Sequence, residues 1–528
     1  MWGRLEICGR LAIGLAGIAS TAKRIGNPLQ AASLPCICVL FCASACLAAT
    51  AGNTGTALVD AVKSGDRVTA LNLIEKKADV NAAEADGTTA IDWAVRQNDM
   101  EMADRLIRAG ADAKAANRYG VSPLSLACIN GDAAMIEKLL KAGADPNAAG
   151  NEGETPLMTI ARTGNVDAAK VLLDHGAKVD ARENWHGETA LMWAAAERHP
   201  EMLKLLIAHG ADVNAMSDVV HWERQVTAEP RDKWLPLGGF TALMFAAREN
   251  CVACLPILAD AGANLNQADP DGITPMINSI INGHYDVARY LLDKGADPNL
   301  DDKTGRTALY AAVDSHTMPY SNRPSPDEAE NETSSLALVK AIVAHGGNVN
   351  AQLKTQQPYR TKVDRGNDTM LTTGTTPLVR AAKAGDVQVI GLLLEKGANV
   401  KLTTRNGINP IMAAAGLGTN ESDGVGRKKT EKEAIDSIDL LLKAGGDINA
   451  VDSRGQTAMH GAAQKGWDQI VQYLADHGAK TDIKDKKGLT PLDAAMGREG
   501  GLGFDNTTGD VHESTIALLK KLMPTQPQ

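Results

Sequence analysis

The stretch G-E-T-A-L-M-W-A-A-A-E-R-H-P-E-M-L-K-L-L-I-A-H-G-A-D-V-N, residues 187–214, predicts two short helices followed by an extended turn. Thr189 can cap the first helix with its hydroxyl group, and Pro200 fits the first turn of the second helix because no N–H is needed there. Gly210 can supply the left-handed residue that ends a helix. Helices of about 9 residues are shorter than the roughly 12–15 needed for stability in water. The unit is therefore expected to bury its apolar side against copies of itself.

Copies of this unit recur along the chain, each marked by a glycine in a G-x-T/S-P/A slot, with 33 residues as the commonest spacing. These glycines are Gly87, Gly120, Gly153, Gly187, Gly239, Gly272, Gly305, Gly374, Gly407, Gly455 and Gly488. Matching stretches include Y-G-V-S-P-L (119–124), D-G-I-T-P-M (271–276), K-G-L-T-P-L (487–492), L-L-K-A-G-A-D-P-N (139–147) and L-L-D-K-G-A-D-P-N (291–299). The pattern resembles the ankyrin-repeat family over about residues 56–522. It predicts an all-α fold, an ankyrin-repeat solenoid of about twelve helix-turn-helix units.

The resemblance implies that each unit is a helix pair with a β-hairpin finger. It further implies a non-enzymatic protein that binds partners on a concave face made of fingers and first helices. One feature departs from the family pattern. The histidine of the family's T-P-L-H motif survives only as His460, while Met158, Met192, Met244 and Met412 take its place in other units. The hydrogen bonds of that histidine are therefore in doubt here, although methionine can fill the space.

Five insertions interrupt the regular spacing. Two fall at finger positions, 215–237 and 351–372, and are expected to lengthen the finger into an arm. Three fall between the two helices of a unit, 316–335, 416–434 and 497–511, and their composition predicts surface loops. Each is shorter than the roughly 40 residues needed to fold alone, so no separate catalytic domain is expected.

Residues 1–51 do not follow the repeat and are predicted to be a signal peptide or leader. The apolar run L-P-C-I-C-V-L-F-C-A-S-A-C-L-A-A (34–49) resembles a signal-peptide core, with small residues suited to cleavage within and after it. This predicts an exported, periplasmic or extracellular protein of bacterial type. An uncleaved membrane anchor or a lipoprotein attached through Cys46 are the alternatives. The repeat domain is predicted over 52–522 and a disordered tail over 523–528.

The chain has a formal net charge of -10, which argues against nucleic acid or anionic membrane as the main partner. Outside the leader it keeps three cysteines, Cys128, Cys251 and Cys254, too few for a disulfide framework. Alignment of the units places Cys254 in the core and Cys251 at the surface, at the start of a second helix, and leaves oxidation of this pair open. No spacing of histidines, cysteines or acids predicts a metal site, and no cofactor is expected.

Aromatic residues give the positive signal for function. Four of the seven tryptophans lie within 50 residues, in and beside the unit at 187–214. Trp193 and Phe245, with Trp93, take the fifth position of a first helix, where packing between units and contact with a partner are both open interpretations. Trp222 and Trp234 lie on the arm at 215–237 and either pin it locally or form a binding hot spot. The candidate partner-binding residues are Trp185, His186, Glu188, Trp193, Trp222, Arg224, Trp234, Phe240, Phe245 and Arg248.

The sequence therefore predicts a non-catalytic scaffold with an unidentified protein partner. One alternative is an enzyme or an enzyme's regulatory subunit, which would need His, Asp, Glu or Cys side chains clustered in the concave groove. The other is a secreted effector that is delivered to another cell.

Overall fold

The computed structural model describes residues 56–220, 237–317, 331–355, 372–418, 429–498 and 510–523. Over these ranges the chain forms twenty-four helices in twelve successive pairs, which confirms the predicted all-α repeat fold. The predicted leader lies outside the described residues, as does the predicted tail apart from Met523. Across the same ranges, no helix is both long and apolar enough to cross a membrane.

Each pair is one unit, with a first and a second helix, and the units are numbered in chain order. The pairs are α1 (Ala57–Lys63) and α2 (Arg67–Glu75); α3 (Ala90–Arg96) and α4 (Met100–Arg108); α5 (Pro123–Asn130) and α6 (Ala133–Lys141); α7 (Pro156–Thr163) and α8 (Val166–Asp174); α9 (Ala190–Ala196) and α10 (Pro200–Ala208); α11 (Ala242–Arg248) and α12 (Cys254–Asp260); α13 (Pro275–Ile281) and α14 (Tyr285–Asp293); α15 (Ala308–His316) and α16 (Ser335–Ala344); α17 (Pro377–Ala384) and α18 (Val387–Glu395); α19 (Pro410–Ala414) and α20 (Glu431–Lys443); α21 (Ala458–Gln464) and α22 (Asp468–Asp476); α23 (Pro491–Ala495) and α24 (Glu513–Leu522).

The helices of unit five begin and end where the local sequence indicates. The Thr189 hydroxyl accepts a hydrogen bond from the N–H of Met192 at 3.4 Å, one residue before α9 begins. Pro200 is the first residue of α10, and Gly210 closes the unit with a φ of 88°. All three predictions are confirmed, because capping depends on contacts only a few residues apart.

In several units the residue at the fourth position of the first helix, counting the capping residue as one, accepts the N–H of the capping residue. The accepting group differs chemically from unit to unit. The Asp92 carboxylate accepts the N–H of its capping residue at 2.8 Å, and Nδ1 of His460 accepts the equivalent N–H at 3.1 Å. Burial lowers the pKa of His460, which favours the neutral ring that can accept this bond. In unit four Met158 offers its Sδ to the same N–H at 3.4 Å, a weaker acceptor in the same place.

The apolar stripes of the units form one continuous core. In unit five it includes Leu191, Met192, Leu203 and Leu206, all buried. At most boundaries the first helices of neighbouring units pack more extensively than the second helices. The fifth and eighth positions of the first helices, together with the fingers, make up the surface that we call the first-helix face.

The fingers are shorter than the β-hairpins that the resemblance implies. Within the described ranges they contain isolated antiparallel bridges, such as Ala83 with Thr89, and no longer ladder. A side chain in the finger also closes the turn. In unit eight Asp302 Oδ1 accepts the N–H groups of Thr304 and Arg306 at 2.9 and 3.0 Å.

An asparagine at the end of each typical unit joins it to the next one. Asn214 donates from Nδ2 to the carbonyl of Gly262 at 3.1 Å and accepts the N–H of Asn264 at 2.7 Å. The same pair of bonds recurs at Asn81, Asn147, Asn299, Asn350 and Asn449. This asparagine pairs a backbone acceptor and a backbone donor in the turn that follows the neighbouring second helix.

Backbone hydrogen bonds pair the described ends of both finger insertions. The Val220 N–H donates to the Leu237 carbonyl at 2.7 Å, and the Leu353 N–H donates to the Thr375 carbonyl at 3.0 Å. Residues 221–236 and 356–371, which make up most of these insertions, lie outside the described residues.

The three inter-helix insertions also fall partly outside the description, at 318–330, 419–428 and 499–509. Where the second one ends, the structure departs from the predicted loop over 416–434, because α20 already begins at Glu431. The Thr430 hydroxyl and the Glu433 carboxylate cap that helix reciprocally, and this local capping box starts it early.

The two cysteines of unit six form a disulfide, and the predicted surface position of Cys251 is wrong. Cys251 is 4% exposed and is bonded to Cys254, which is fully buried. In unit three the equivalent residues are Asp132 and Met135, and the Asp132 carboxylate accepts the Met135 N–H to cap α6. The disulfide links the same two positions covalently, so the Cys251 side chain turns inward.

Candidate functional site

Seven of the ten candidate residues are described, and these seven lie on the first-helix face and the fingers of units five and six. Trp222, Arg224 and Trp234 lie outside the described residues, so their role as a hot spot stays a prediction.

The finger of unit five contains one residue more than that of unit four, and a single carboxylate shapes it. Glu183 Oε1 accepts the N–H groups of His186 and Glu188 at 2.7 and 2.9 Å, while Oε2 accepts that of Trp185 at 2.6 Å. Three backbone donors on one buried carboxylate hold this turn in a single geometry. Trp185 is 56% exposed, and its ring stacks on the His186 ring with centroids 4.4 Å apart.

Beside this finger, Glu188 and Trp193 form the inner part of the candidate site. Burial raises the pKa of the Glu188 carboxyl, and the nearby His186 and Arg248 partly offset that increase. The Trp193 ring is half-buried, and the Arg162 guanidinium lies over it at 5.4 Å from the centroid. The Trp193 indole N–H makes no hydrogen bond of ordinary length within the described residues, although it lies close enough to Glu188 to lower that pKa slightly.

Unit six continues the site with two phenylalanines and an arginine. Phe240 and Phe245 meet edge to face with centroids 5.6 Å apart. The Arg248 guanidinium lies 5.6 Å from the Phe240 centroid and 4.9 Å from that of Phe245. Phe245 is only 5% exposed, which fits the packing interpretation of the fifth position. Phe240 and Arg248 are partly exposed, so they are the groups of unit six that a partner can touch.

The sequence interpretation missed the cation that lies over the ring of Trp193. Arg162 comes from unit four, and it takes the eighth position of its first helix, as Arg248 does in unit six. Alignment of the eighth positions could have revealed this row. The contact itself joins residues of different units and has no local signal.

A cluster of polar side chains lies between units eight and nine, away from the candidate residues. His316 Nδ1 is 2.7 Å from the Ser335 Oγ, and its Nε2 is 3.1 Å from Asp386 Oδ2. Nearby, Arg380 Nε donates to Asp314 Oδ1 at 2.7 Å inside the protein. The other Asp386 oxygen accepts the Val389 N–H and caps α18, so this carboxylate also has a structural task. Within the described ranges no group of three or more His, Cys, Asp and Glu residues could hold a metal ion.

Comparison with known families agrees with this geometry. A model of ankyrin repeats in three copies matches residues 58–149, 124–217, 227–302, 243–319 and 430–501, and a model of a single ankyrin repeat matches 373–405. Together these matches cover more than half of the chain. It belongs to the ankyrin-repeat family.

Curated proteins with similar segments are diverse. The Homo sapiens ankyrin repeat and KH domain-containing protein 1 is 37% identical over 22% of this chain and 4% of its own length. The Arabidopsis thaliana E3 ubiquitin-protein ligase KEG is 26% identical over 49% of this chain and 14% of its own length. The B-cell lymphoma 3 protein homolog of Mus musculus is 26% identical over 43% of this chain and 40% of its own length. The matched segment spans less than half of each relative. The three are eukaryotic, so a bacterial origin of the chain remains a prediction.

Proposed function

We propose that this ankyrin-repeat chain is a non-catalytic scaffold that binds a partner protein on the first-helix face of units four to six. The observation that carries the proposal is the exposed Trp185, on a finger turn that the Glu183 carboxylate holds and stacked on His186, together with the partly exposed Phe240 and Arg248 of the next unit. Tryptophan and arginine dominate the energetics of protein interfaces, and a side chain held in place before binding loses less entropy on contact. The ankyrin-repeat family supports the general role of protein binding, and these exposed residues support the choice of units four to six as the binding site.

Site-specific photo-crosslinking in the native cell tests whether the partner contacts units four to six. A photoreactive phenylalanine analogue in place of Trp185 is expected to give one discrete protein adduct. The matched control carries the same analogue in place of Val451, which is 52% exposed beside the finger of unit eleven, outside units one to six. Equal adducts from both positions, or none from either, would show that units four to six are not the binding site.

The non-catalytic part of the proposal is tested at the Ser335, His316 and Asp386 group, which is the arrangement that most favours the enzyme alternative. A fluorophosphonate probe, which labels activated serines, is expected to leave Ser335 unmodified. Labelling of Ser335 that disappears in a His316→Ala variant would contradict the scaffold proposal, because it would show an imidazole that activates the hydroxyl.

The predicted export also stands as a proposal. The apolar run over 34–49 supports it, and so does the Cys251–Cys254 disulfide, because disulfides form and persist mainly in oxidising compartments. N-terminal sequencing of the protein from its native cell should find a start near residues 46–52. Recovery of the protein from a reducing compartment with its first residues still attached would rule out cleaved export.

A further inference from the structure

The first-helix face carries an unusual row of positive charge. At the eighth position of the first helix, units one, two, four and six have Lys63, Arg96, Arg162 and Arg248. No acidic residue takes this position before Asp314 of unit eight, although the whole chain has a net charge of -10. The charge of this basic row is therefore opposite in sign to the net charge of the protein.

Each cation of this row lies over an aromatic ring. Lys63 Nζ and the Arg96 guanidinium lie 4.5 and 5.4 Å from the centroid of Trp93, which takes the fifth position of unit two. Arg162 and Arg248 have the equivalent ring contacts in units five and six. A guanidinium placed over a ring keeps its N–H edge available for a carboxylate, and the ring restricts its motion before binding.

Acids of the protein itself neutralise the arginines only in part. Arg162 is 3.9 Å from Glu154, and the nearer oxygen of that carboxylate already accepts the Thr159 hydroxyl at 2.7 Å. Arg248 uses its Nε for Glu249, at 2.9 Å. Arg96 forms no ion pair with any residue that the structure describes. The row thus retains donors for carboxylates from outside the molecule.

The intervening units offer apolar contacts at the same position. Ile129 of unit three is 56% exposed, and Ala196 of unit five is partly exposed. Packed helices recur at about 8–10 Å, so the arginines of alternate units lie roughly 16–20 Å apart. An extended chain rises about 3.3 Å per residue, so it passes from one arginine to the next in about six residues.

We infer that the first-helix face of units one to six binds an extended, acidic segment of the partner protein, with carboxylates about six residues apart and apolar side chains between them. This inference rests on the proposed scaffold function and names the chemistry of its partner. The arginines bind the carboxylates, and the apolar side chains cover Ile129 and Ala196.

Fluorescence anisotropy on the full chain tests this inference with a labelled synthetic peptide that carries Glu at every sixth residue and Leu between them. The wild-type protein should bind it, and the Gln version of the peptide should bind at least about tenfold more weakly, since hydrogen bonds between charged groups are the stronger ones. Failure of the Glu peptide to bind at millimolar concentration, or equal binding of both peptides, overturns the inference.

Variants then locate the binding. The combined Arg96→Gln, Arg162→Gln and Arg248→Gln variant should lose at least about tenfold in affinity for the Glu peptide. The matched control, Arg108→Gln with Lys141→Gln and Lys443→Gln, removes the same charge from exposed second-helix positions and should change affinity less than about twofold. Equal losses in both variants would show that net charge alone attracts the peptide.

Two further readouts separate the remaining outcomes. The corresponding Arg→Lys triple variant keeps the charge and should recover part of the affinity, which distinguishes lost contacts from misfolding. Single-stranded oligothymidine that displaces the peptide more effectively than unlabelled peptide would assign the row to nucleic acid and overturn the inference. The crosslink at position 185 does not depend on this peptide, so a surviving crosslink without peptide binding would refute only the chemistry and leave the scaffold proposal standing.

Discussion

The first-helix face differs between the early units and the late ones, although the backbone repeats. In units two to six, its fifth and eighth positions present rings and cations such as Trp193 and Arg162 at the surface. In units eight to eleven, the same positions include the buried Asp314, Arg380 and Lys383 and the glycines Gly416 and Gly461, so the side chains there lie inside the protein or are absent.

Glycine allows close packing in units ten and eleven. A Cβ on Gly461 would lie 2.5 Å from the backbone nitrogen of Leu417, and one on Gly416 would lie 2.6 Å from the Trp467 ring. The chain after α19 therefore packs into the space that a larger side chain fills in the early units. The comparison teaches that two positions per unit decide whether a repeat offers an open surface or a closed one.

The largest effect should come from the buried pair of units eight and nine. Asp314→Ala leaves the Arg380 charge inside the protein and should cost about 3–5 kcal/mol of unfolding free energy in urea denaturation. Arg248→Ala, at the equivalent eighth position of unit six, should cost less than about 1 kcal/mol, because that side chain is partly exposed. Similar costs for both variants would refute the contrast between a closed and an open face.

The next effect concerns pH and Lys429, which packs in the closed region. Its Nζ donates to the carbonyls of Lys383 and Ala413 at 3.0 and 2.8 Å and lies 5.5 Å from the Trp467 ring. Burial lowers the pKa of Lys429 from 10.5 to about 7. Between these two values the unfolded chain holds a proton that the folded chain lacks, so stability should rise with pH from about 7 to 10.5 and lose this dependence below 7.

Urea denaturation across this pH range measures the slope, which is at most roughly 1.4 kcal/mol per pH unit for one proton. Lys429→Met should remove it, and Lys443→Met, on the exposed side of α20, should leave it unchanged. An unaltered slope in Lys429→Met would show that the ammonium group is not enclosed.

Two helical glycines of the late units should respond to alanine in opposite directions. Gly461→Ala forces Cβ against the Leu417 backbone and should cost about 1–3 kcal/mol. Gly391→Ala, in α18, meets only one side-chain atom at 3.9 Å and should gain about 0.5–1 kcal/mol from helix propensity. Thermal denaturation of both variants checks the signs of these two changes. An unchanged melting temperature in Gly461→Ala would mean that the closed face has room for an added methyl group.

The smallest effect lies at the joint between units four and five. Asp180 accepts the Asp212 N–H at 3.0 Å in the place where other units have asparagine, but an ionised carboxylate cannot donate to the Gly210 carbonyl. Asp180→Asn should therefore stabilise the chain by about 0.5–1 kcal/mol, and Asn214→Asp at the next joint should destabilise it by a similar amount. Urea denaturation of both variants measures these changes in unfolding free energy. Changes of the same sign in the two variants would show that the asparagine bonds do not join the units.

Much of the fold was predictable because its signals act within a few residues. Thr189, Pro200 and Gly210 mark their helix ends through capping and backbone sterics, and the period of 33 residues repeats these marks until the family is evident. The candidate site was only partly predictable. Trp185 was identified as an aromatic residue on a finger, but the Glu183 carboxylate that shapes this finger was not.

The sequence by itself determined the number of units, their caps and the residues that form the core, since each follows from local chemistry repeated many times. The tertiary structure alone decided that Cys251 turns inward, that Arg162 lies over Trp193, and that Asp314 and Arg380 form a buried pair. The last two contacts join side chains of neighbouring units, 31 and 66 residues apart in the chain. Cys251 turns inward because its partner lies one helical turn away, at a position that the preceding units fill with core side chains. The two contacts between units depend on how one unit stacks on the next, and no local pattern encodes them.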